Sequence, residues 1–306
     1  MKACFLFPGQ GAQYPGMGRD FYETSKAVRE LFELASEESK IDLKRLVFEG
    51  TEDELKQTQN TQTSVALIGA AAAVCAREHG IVPEGCAGFS VGEWPALATA
   101  GVVSLGDMFR LVSARGRLMD EAGKRSGGST MSAVLFLSPE AIEKTIGEAG
   151  LKNVWIANYN SPTQSVISGT ASEIALAEEA LKAAGAKRVV RLKVSGAFHS
   201  PIMAYARDGF AEAVADTQFH DPTIALFSNV TGKRLTSGAE AKKLAVEQIV
   251  SPVRWIDEEK SILSEKPGFC VETGPGTVLG GLWKAVGGEV PCYPCGTVDQ
   301  IAAISL

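Results

Sequence analysis

Gly88-Phe89-Ser90-Val91-Gly92 sets a serine between two glycines, where an apolar strand pattern (85–89) gives way to a helical one (91–100). A G-x-S-x-G run carries chemical meaning in that context, because the glycines permit a tight strand-to-helix turn that lifts the hydroxyl out at the top of a sheet. Val91 then opens the helix, so its amide is expected to face a developing oxyanion, with the helix N-terminus adding favourable field. A serine nucleophile needs a base. His79 precedes the helix-ending Gly80 and His220 sits in a polar segment, and both read as structural. His199, in Val194-Ser195-Gly196-Ala197-Phe198-His199-Ser200-Pro201, falls in a loop where two units of the chain meet, the kind of place where clefts form. It is the candidate base, against the alternative of an imidazole tied to backbone.

Along residues 105–123 the apolar side chains Met108, Leu111, Val112, Leu118, Met119 and Ala122 repeat at helical spacing, a stripe that faces a core. Arg115 lies inside the stripe, whereas Arg117 points to solvent. A buried guanidinium keeps its charge and needs an anionic or strongly accepting partner. Two answers stand level on periodicity: an internal pair with Glu93 or Glu272, or a bound carboxylate gripped by two parallel hydrogen bonds. Pro8-Gly9-Gln10-Gly11-Ala12-Gln13 has neither the Lys-Ser/Thr of a P-loop nor the G-x-G-x-x-G spacing, and is read as a strand-end turn that offers the Gln10 amide to an oxyanion. Lys187, Arg188, Arg191 and Lys193 form a local basic run, either a solvated strand face or a landing place for CoA phosphates or an acidic protein.

Short apolar strands alternating with helical patterns indicate an α/β protein with a largely parallel sheet. Strands are expected at 2–7, 85–89, 224–229 and 269–273, and a buried helix over 64–79. From Thr130 the order becomes strand (131–137), helix (138–149), strand (154–159), turn (160–162), strand (165–168), helix and strand (188–194), the β-α-β-β-α-β order of a ferredoxin-like unit. Its second helix opens on Thr170-Ala171-Ser172-Glu173, a capping-box pattern. Residues 127–193 are therefore read as a subdomain inserted at Gly127-Gly128 into a larger catalytic domain of residues 1–126 and 194–306.

The chain has 306 residues, 45% of them hydrophobic, enough for a sizeable core. A net charge of −6 argues against a nucleic-acid binder. The longest apolar run, Val65 to Ala76, is 12 residues, short of a membrane span. The start of the chain lacks the apolar stretch and cleavage site of a secretory signal, so a cytoplasmic setting is expected. The six cysteines read as reduced thiols, Cys292-Tyr-Pro-Cys295 included, because that pair sits near the C-terminus rather than opening a helix. No metal site is expected, and nothing demands a second copy, so a monomer is expected.

Seven segments taken together resemble the malonyl-CoA:acyl-carrier-protein transacylase family, in the family's order and across nearly the whole chain. They are Phe7-Pro8-Gly9-Gln10-Gly11-Ala12-Gln13, Gly88-Phe89-Ser90-Val91-Gly92-Glu93, Arg115-Gly116-Arg117-Leu118-Met119, Asn158-Tyr159-Asn160-Ser161-Pro162, Gly196-Ala197-Phe198-His199-Ser200, 248–255 (Gln-Ile-Val-Ser-Pro-Val-Arg-Trp) and Glu272-Thr273-Gly274-Pro275-Gly276. The resemblance implies an α/β-hydrolase-like domain carrying a ferredoxin-like insert. It implies that Ser90 is acylated from malonyl-CoA, that His199 is base and then acid, and that Arg115 holds the malonyl carboxylate. It further implies an oxyanion hole from the amides of Gln10 and Val91, a Gln248 main-chain carbonyl that orients His199, and Met119, Phe198 and Asn160 among the substrate contacts. An acyl carrier protein is the implied partner, and no cofactor beyond the CoA substrate is implied. The family commonly carries His just before the nucleophile; this chain has Phe89.

Overall fold

The computed structural model describes residues 2–305. In chain order its strands are β1 (Ala3–Phe7), β2 (Gly85–Gly88), β3 (Ser129–Leu135), β4 (Val154–Ser161), β5 (Gln164–Thr170), β6 (Arg188–Arg191), β7 (Ala225–Leu226), β8 (Phe269–Thr273) and β9 (Cys292–Cys295). They form two sheets. One is five-stranded, in the order β7-β2-β1-β8-β9, and every neighbour pair in it is parallel. The other is four-stranded, β4-β5-β3-β6, and every pair is antiparallel. With helices Pro139–Glu148 and Ala171–Ala183 as its crossovers, the second sheet has the ferredoxin-like arrangement.

β1 shows why the parallel sheet lies in the middle of the molecule. All five of its residues are buried, and the strand's two-residue period deals Ala3, Phe5 and Phe7 to one core while Cys4 and Leu6 enter another. The antiparallel sheet closes its own core, built on Val134, Ile142, Ile156, Ile167, Ile174 and Leu181. The two sheets are tied directly. Val253 donates its N–H to Ala157 O at 2.8 Å and accepts from Tyr159 N–H at 2.9 Å, so a main-chain segment of the larger unit pairs along β4.

Several boundaries differ from expectation, each for a physical reason. The buried helix starts at Thr58 rather than at 64 and runs to Glu78. Its first turns hold Thr58, Thr61, Gln62 and Thr63, all buried, and their side chains find partners: Thr61 on Leu55 O, Thr63 on Gln59 O, Thr58 with Ser195 Oγ. This helix lies close against Leu105–Arg125, where a Cβ on Gly116 would stand 2.7 Å from Gln59 Cα. The strand expected over 224–229 keeps two residues, because Ser228 and Asn229 turn their polar groups into the interior. The capping box at Thr170 does not form: its side chain caps nothing, and Glu173 instead accepts from the Asn153 N–H (2.8 Å) and Nδ2 (2.6 Å). The turn after β4 falls at 162–163, so Asn160 and Ser161 belong to the strand. Among the described residues no helix is long and apolar enough to cross a membrane.

Candidate active site

The C-terminal end of β2 runs into a 3-10 turn, Ser90–Gly92, and then the helix Glu93–Thr99. Both glycines of the motif are sterically required. A Cβ on Gly88 would lie 1.9 Å from Gly92 O, and one on Gly92 would lie 2.2 Å from Phe7 O at the end of β1. Ser90 itself is left-handed, with φ +53°. A non-glycine residue there carries strain that the surroundings must offset.

His199 is also left-handed (φ +57°) and buried, just before the short turn Pro201–Met203. Its Nε2 lies 2.7 Å from Ser90 Oγ. Its Nδ1 faces two acceptors, Gln248 O at 2.9 Å and Ser251 O at 3.2 Å. Two carbonyls require the proton on Nδ1, which leaves the Nε2 lone pair for the serine hydroxyl. Burial, and secondly the nearby Arg115 charge, push the imidazole down to about 4, so it is neutral at pH 7.

Arg115, for which periodicity left two answers level, forms no internal ion pair among the described residues. It is fully buried, and its partners are neutral: Nη1 donates to Gln62 Oε1 at 2.6 Å, Nη2 to Gln248 Oε1 at 2.9 Å and, more weakly, to Ser90 Oγ at 3.4 Å. Its Nε has no hydrogen-bond partner among the described residues, and no carboxylate there lies within ion-pair distance. Glu272 is taken by the N–H groups of Leu279 and Gly280. Glu93 accepts from Asn229 N–H at 3.2 Å and from Gln248 Nε2, so a neutral amide stands between it and Arg115. Burial raises Glu93 to about 7 and lowers Arg115 to about 10, and the two groups meet only through Gln248.

Beside these groups opens a cavity of about 340 Å³. Ser90, His199, Gln10, Val91, Met119, Phe198 and Asn160 all line it, while Arg115 and Gln248 lie buried behind Ser90. Asn160 Oδ1 has no partner among the described residues. Phe89 forms part of the wall and packs on Trp255, ring centroids 5.5 Å apart. The other histidines stay outside: His79 bonds Cys75 O at 2.9 Å within its own helix, and His220 is exposed. Of the basic run, Arg191 is paired with Glu178, Lys187 lies over the Phe136 ring, and Arg188 and Lys193 are solvated. The six cysteines are free, and Cys292 and Cys295 stand on β9 rather than at a helix start.

Two polar contributors have no motif of their own. Gln62, in the polar opening of the long helix, carries the shortest bond to Arg115 and also donates Nε2 to Met119 Sδ at 3.5 Å. Asn229, at the end of the segment expected as a strand over 224–229, accepts the Ser90 N–H at 2.7 Å. Nothing local in the sequence marks either residue: the helix that carries Gln62 is buried on nearly every face, and the Ser90 partner of Asn229 lies far along the chain.

A serine on a strand-to-helix elbow over a parallel sheet, hydrogen-bonded to a buried neutral histidine, defines an α/β-hydrolase-like site suited to acyl chemistry. Residues 4–284 match the family model described as an acyl transferase domain, and the chain belongs to that family. The malonyl CoA-acyl carrier protein transacylase of Bacillus subtilis (strain 168) is 39% identical over 289 residues, spanning 93% of this chain and 90% of that one. An acyl carrier protein S-malonyltransferase from Vibrio cholerae O1 biovar eltor superposes with a TM-score of 0.95 at 34% identity, over 100% of both chains. A malonyl-transacylase solved in complex with a type II PKS acyl-carrier protein superposes at 0.93 with 33% identity, covering 99% of this chain and 98% of that one.

Proposed function

We propose that the protein moves a malonyl group from malonyl-CoA to the phosphopantetheine thiol of an acyl carrier protein, through a malonyl ester on Ser90, in fatty-acid or polyketide synthesis. The observation that carries the reading is Arg115: a buried cation beside the Ser90 hydroxyl, held by amide oxygens and left without a carboxylate contact among the described residues. A dicarboxylic thioester bound at Ser90 would bring a carboxylate to the side of the hydroxyl where Arg115 Nη2 lies, 3.4 Å from Oγ.

In the first half-reaction His199 Nε2 takes the Ser90 proton as Oγ attacks the thioester carbon, and the negative charge moves to the carbonyl oxygen. The amides of Gln10 and Val91 receive that oxyanion; a donor of this kind is worth about 10²–10³ in rate. The tetrahedral adduct collapses, the carbon–sulfur bond breaks, and the proton on His199 passes to the CoA sulfur. The carrier's thiol then gives its proton to His199 as its sulfur attacks the ester carbon; the second adduct collapses, the bond from that carbon to Ser90 Oγ breaks, and His199 returns the proton to Oγ. Gln248 O and Ser251 O hold the imidazolium that forms in each half. Because the Arg115 charge helps depress His199, a malonyl carboxylate bound to Arg115 also makes His199 a stronger base, an advantage an acetyl group does not bring.

Met119, Phe198 and Asn160 line the path of the acyl group and pantetheine arm, and the unpartnered Asn160 Oδ1 suits an amide N–H. The division into a catalytic domain (1–126 and 194–306) and an inserted subdomain (127–193) is supported by the core that the antiparallel sheet and its helices build from their own residues. A cytoplasmic setting is supported by six free thiols. No cofactor enters the scheme.

Intact mass after mixing with malonyl-CoA tests the proposal. The wild-type chain gains a malonyl adduct and Ser90→Ala does not; an unmodified wild-type chain discards the mechanism. Hydrolysis of neutral esters at a rate indifferent to Arg115→Ala would point to an esterase instead.

A further inference from the structure

Ser90 keeps its left-handed backbone because side chains from elsewhere hold it. Asn229, fully buried, accepts the Ser90 N–H on Oδ1 at 2.7 Å and donates Nδ2 to Gly88 O. The same Nδ2 donates to Glu258 Oε1 at 2.8 Å, and the Asn229 backbone N–H donates to Glu93 Oε1 at 3.2 Å. Gln248 Nε2 completes the ring, 3.1 Å from Ser90 O and 3.3 Å from Asn229 Oδ1. One amide therefore grips the peptide groups on both sides of Phe89, and a buried carboxyl decides which way that amide faces.

We propose that Asn229 is a positioning residue for acyl transfer, acting on Ser90 through its two elbow hydrogen bonds, with Glu258 fixing its orientation. The assignment rests on Ser90 being the acylated group. Asn229 does not line the cavity. What it controls is the strained torsion that sets Oγ against His199 Nε2. An elbow released from the clamp relaxes toward a commoner backbone conformation and carries Oγ away from its base. A displacement near an ångström at a reacting atom costs about a hundredfold.

The test is single-turnover acylation by malonyl-CoA, followed by rapid quench and intact mass, with rates expressed per site that acylates. Asn229→Ala is expected to acylate between about tenfold and a hundredfold more slowly, with the KM for malonyl-CoA within about twofold of wild type. Asn229→Asp keeps an acceptor for Ser90 N–H but presents an oxygen to Gly88 O and Glu258, and it too should be slow. A purely structural anchor would lower the melting temperature and the number of active sites and leave the rate per active site unchanged. Wild-type rates per site in either variant overturn the assignment, and so does a failure of both to fold, which marks Asn229 as an anchor. An unlabelled wild-type chain is a separate failure, that of the proposed function.

Discussion

Arg191 and Arg115 show one side chain in two conditions. On β6 of the antiparallel sheet, Arg191 grips Glu178 through Nε at 3.0 Å and Nη2 at 2.8 Å, a two-pronged ion pair at a side chain 41% exposed. On the helix Leu105–Arg125, Arg115 is fully buried, where an uncompensated charge costs most, and it meets amide oxygens and a hydroxyl instead of a carboxylate. The exposed arginine is satisfied by a carboxylate, and the buried one is held by neutral acceptors with no carboxylate contact among the described residues. A fold that wanted only to bury Arg115 safely had Glu93 at hand and interposed Gln248 between them.

The sharpest way to break this contrast is to remove the buried cation. Arg115→Ala should lower kcat/KM for malonyl transfer by about 10²–10⁴, the loss of two charge-assisted hydrogen bonds at about 1.5–3 kcal/mol each. Transfer of acetyl should fall far less, and equal losses for both acyl groups would end the carboxylate assignment. Arg115→Lys keeps the charge without the planar fork and should lie between.

Removing the bond that aims Arg115 should be milder. Gln62→Leu, with the volume roughly kept, should reduce malonyl transfer by about tenfold to a hundredfold, since one hydrogen bond to a charged donor is lost. Steady-state kinetics with both acyl donors would show the deficit on the malonyl side.

The pH profile sharpens the contrast further. His199 is competent when neutral, so acylation should fall as pH drops through about 4, well below the ordinary histidine value. With Arg115→Ala one of the causes of that depression is gone, and the acid limb should move upward; a limb that stays put would separate the two residues electrostatically. The smallest effect belongs to the other arginine. Arg191→Ala should cost about 0–1 kcal/mol in thermal or denaturant unfolding and leave malonyl loading unchanged, as expected for an exposed pair.

The parts of the site that a sequence exposes are those with a local signature. Ser90 sits in a glycine frame, Arg115 interrupts an apolar stripe, and His199 occupies a junction loop; each announces itself within a few residues. Gln62 and Asn229 do not, because their meaning lies in hydrogen bonds to residues 53 and 139 positions away. The same divide runs through the fold. β1 and the β-α-β-β-α-β order follow from apolar runs and their spacing. The early start of the helix at Thr58 does not, since its polar first turns look solvated until their buried partners are known. Glu173 makes the point in miniature: a correct capping pattern lost to a better donor pair on Asn153.

The pairing of Val253 with β4 has a practical bearing on recombining relatives. Gln248 and Ser251, whose carbonyls steer the imidazole, lie just upstream of that seam in the same stretch of chain. A chimera that imports only the smaller sheet would graft a foreign edge onto the native 248–253 segment and risk tilting the histidine with it. Crossovers that carry 248–253 together with the insert keep donor edge and steering carbonyls matched, so the transplantable module is larger than the contiguous insert.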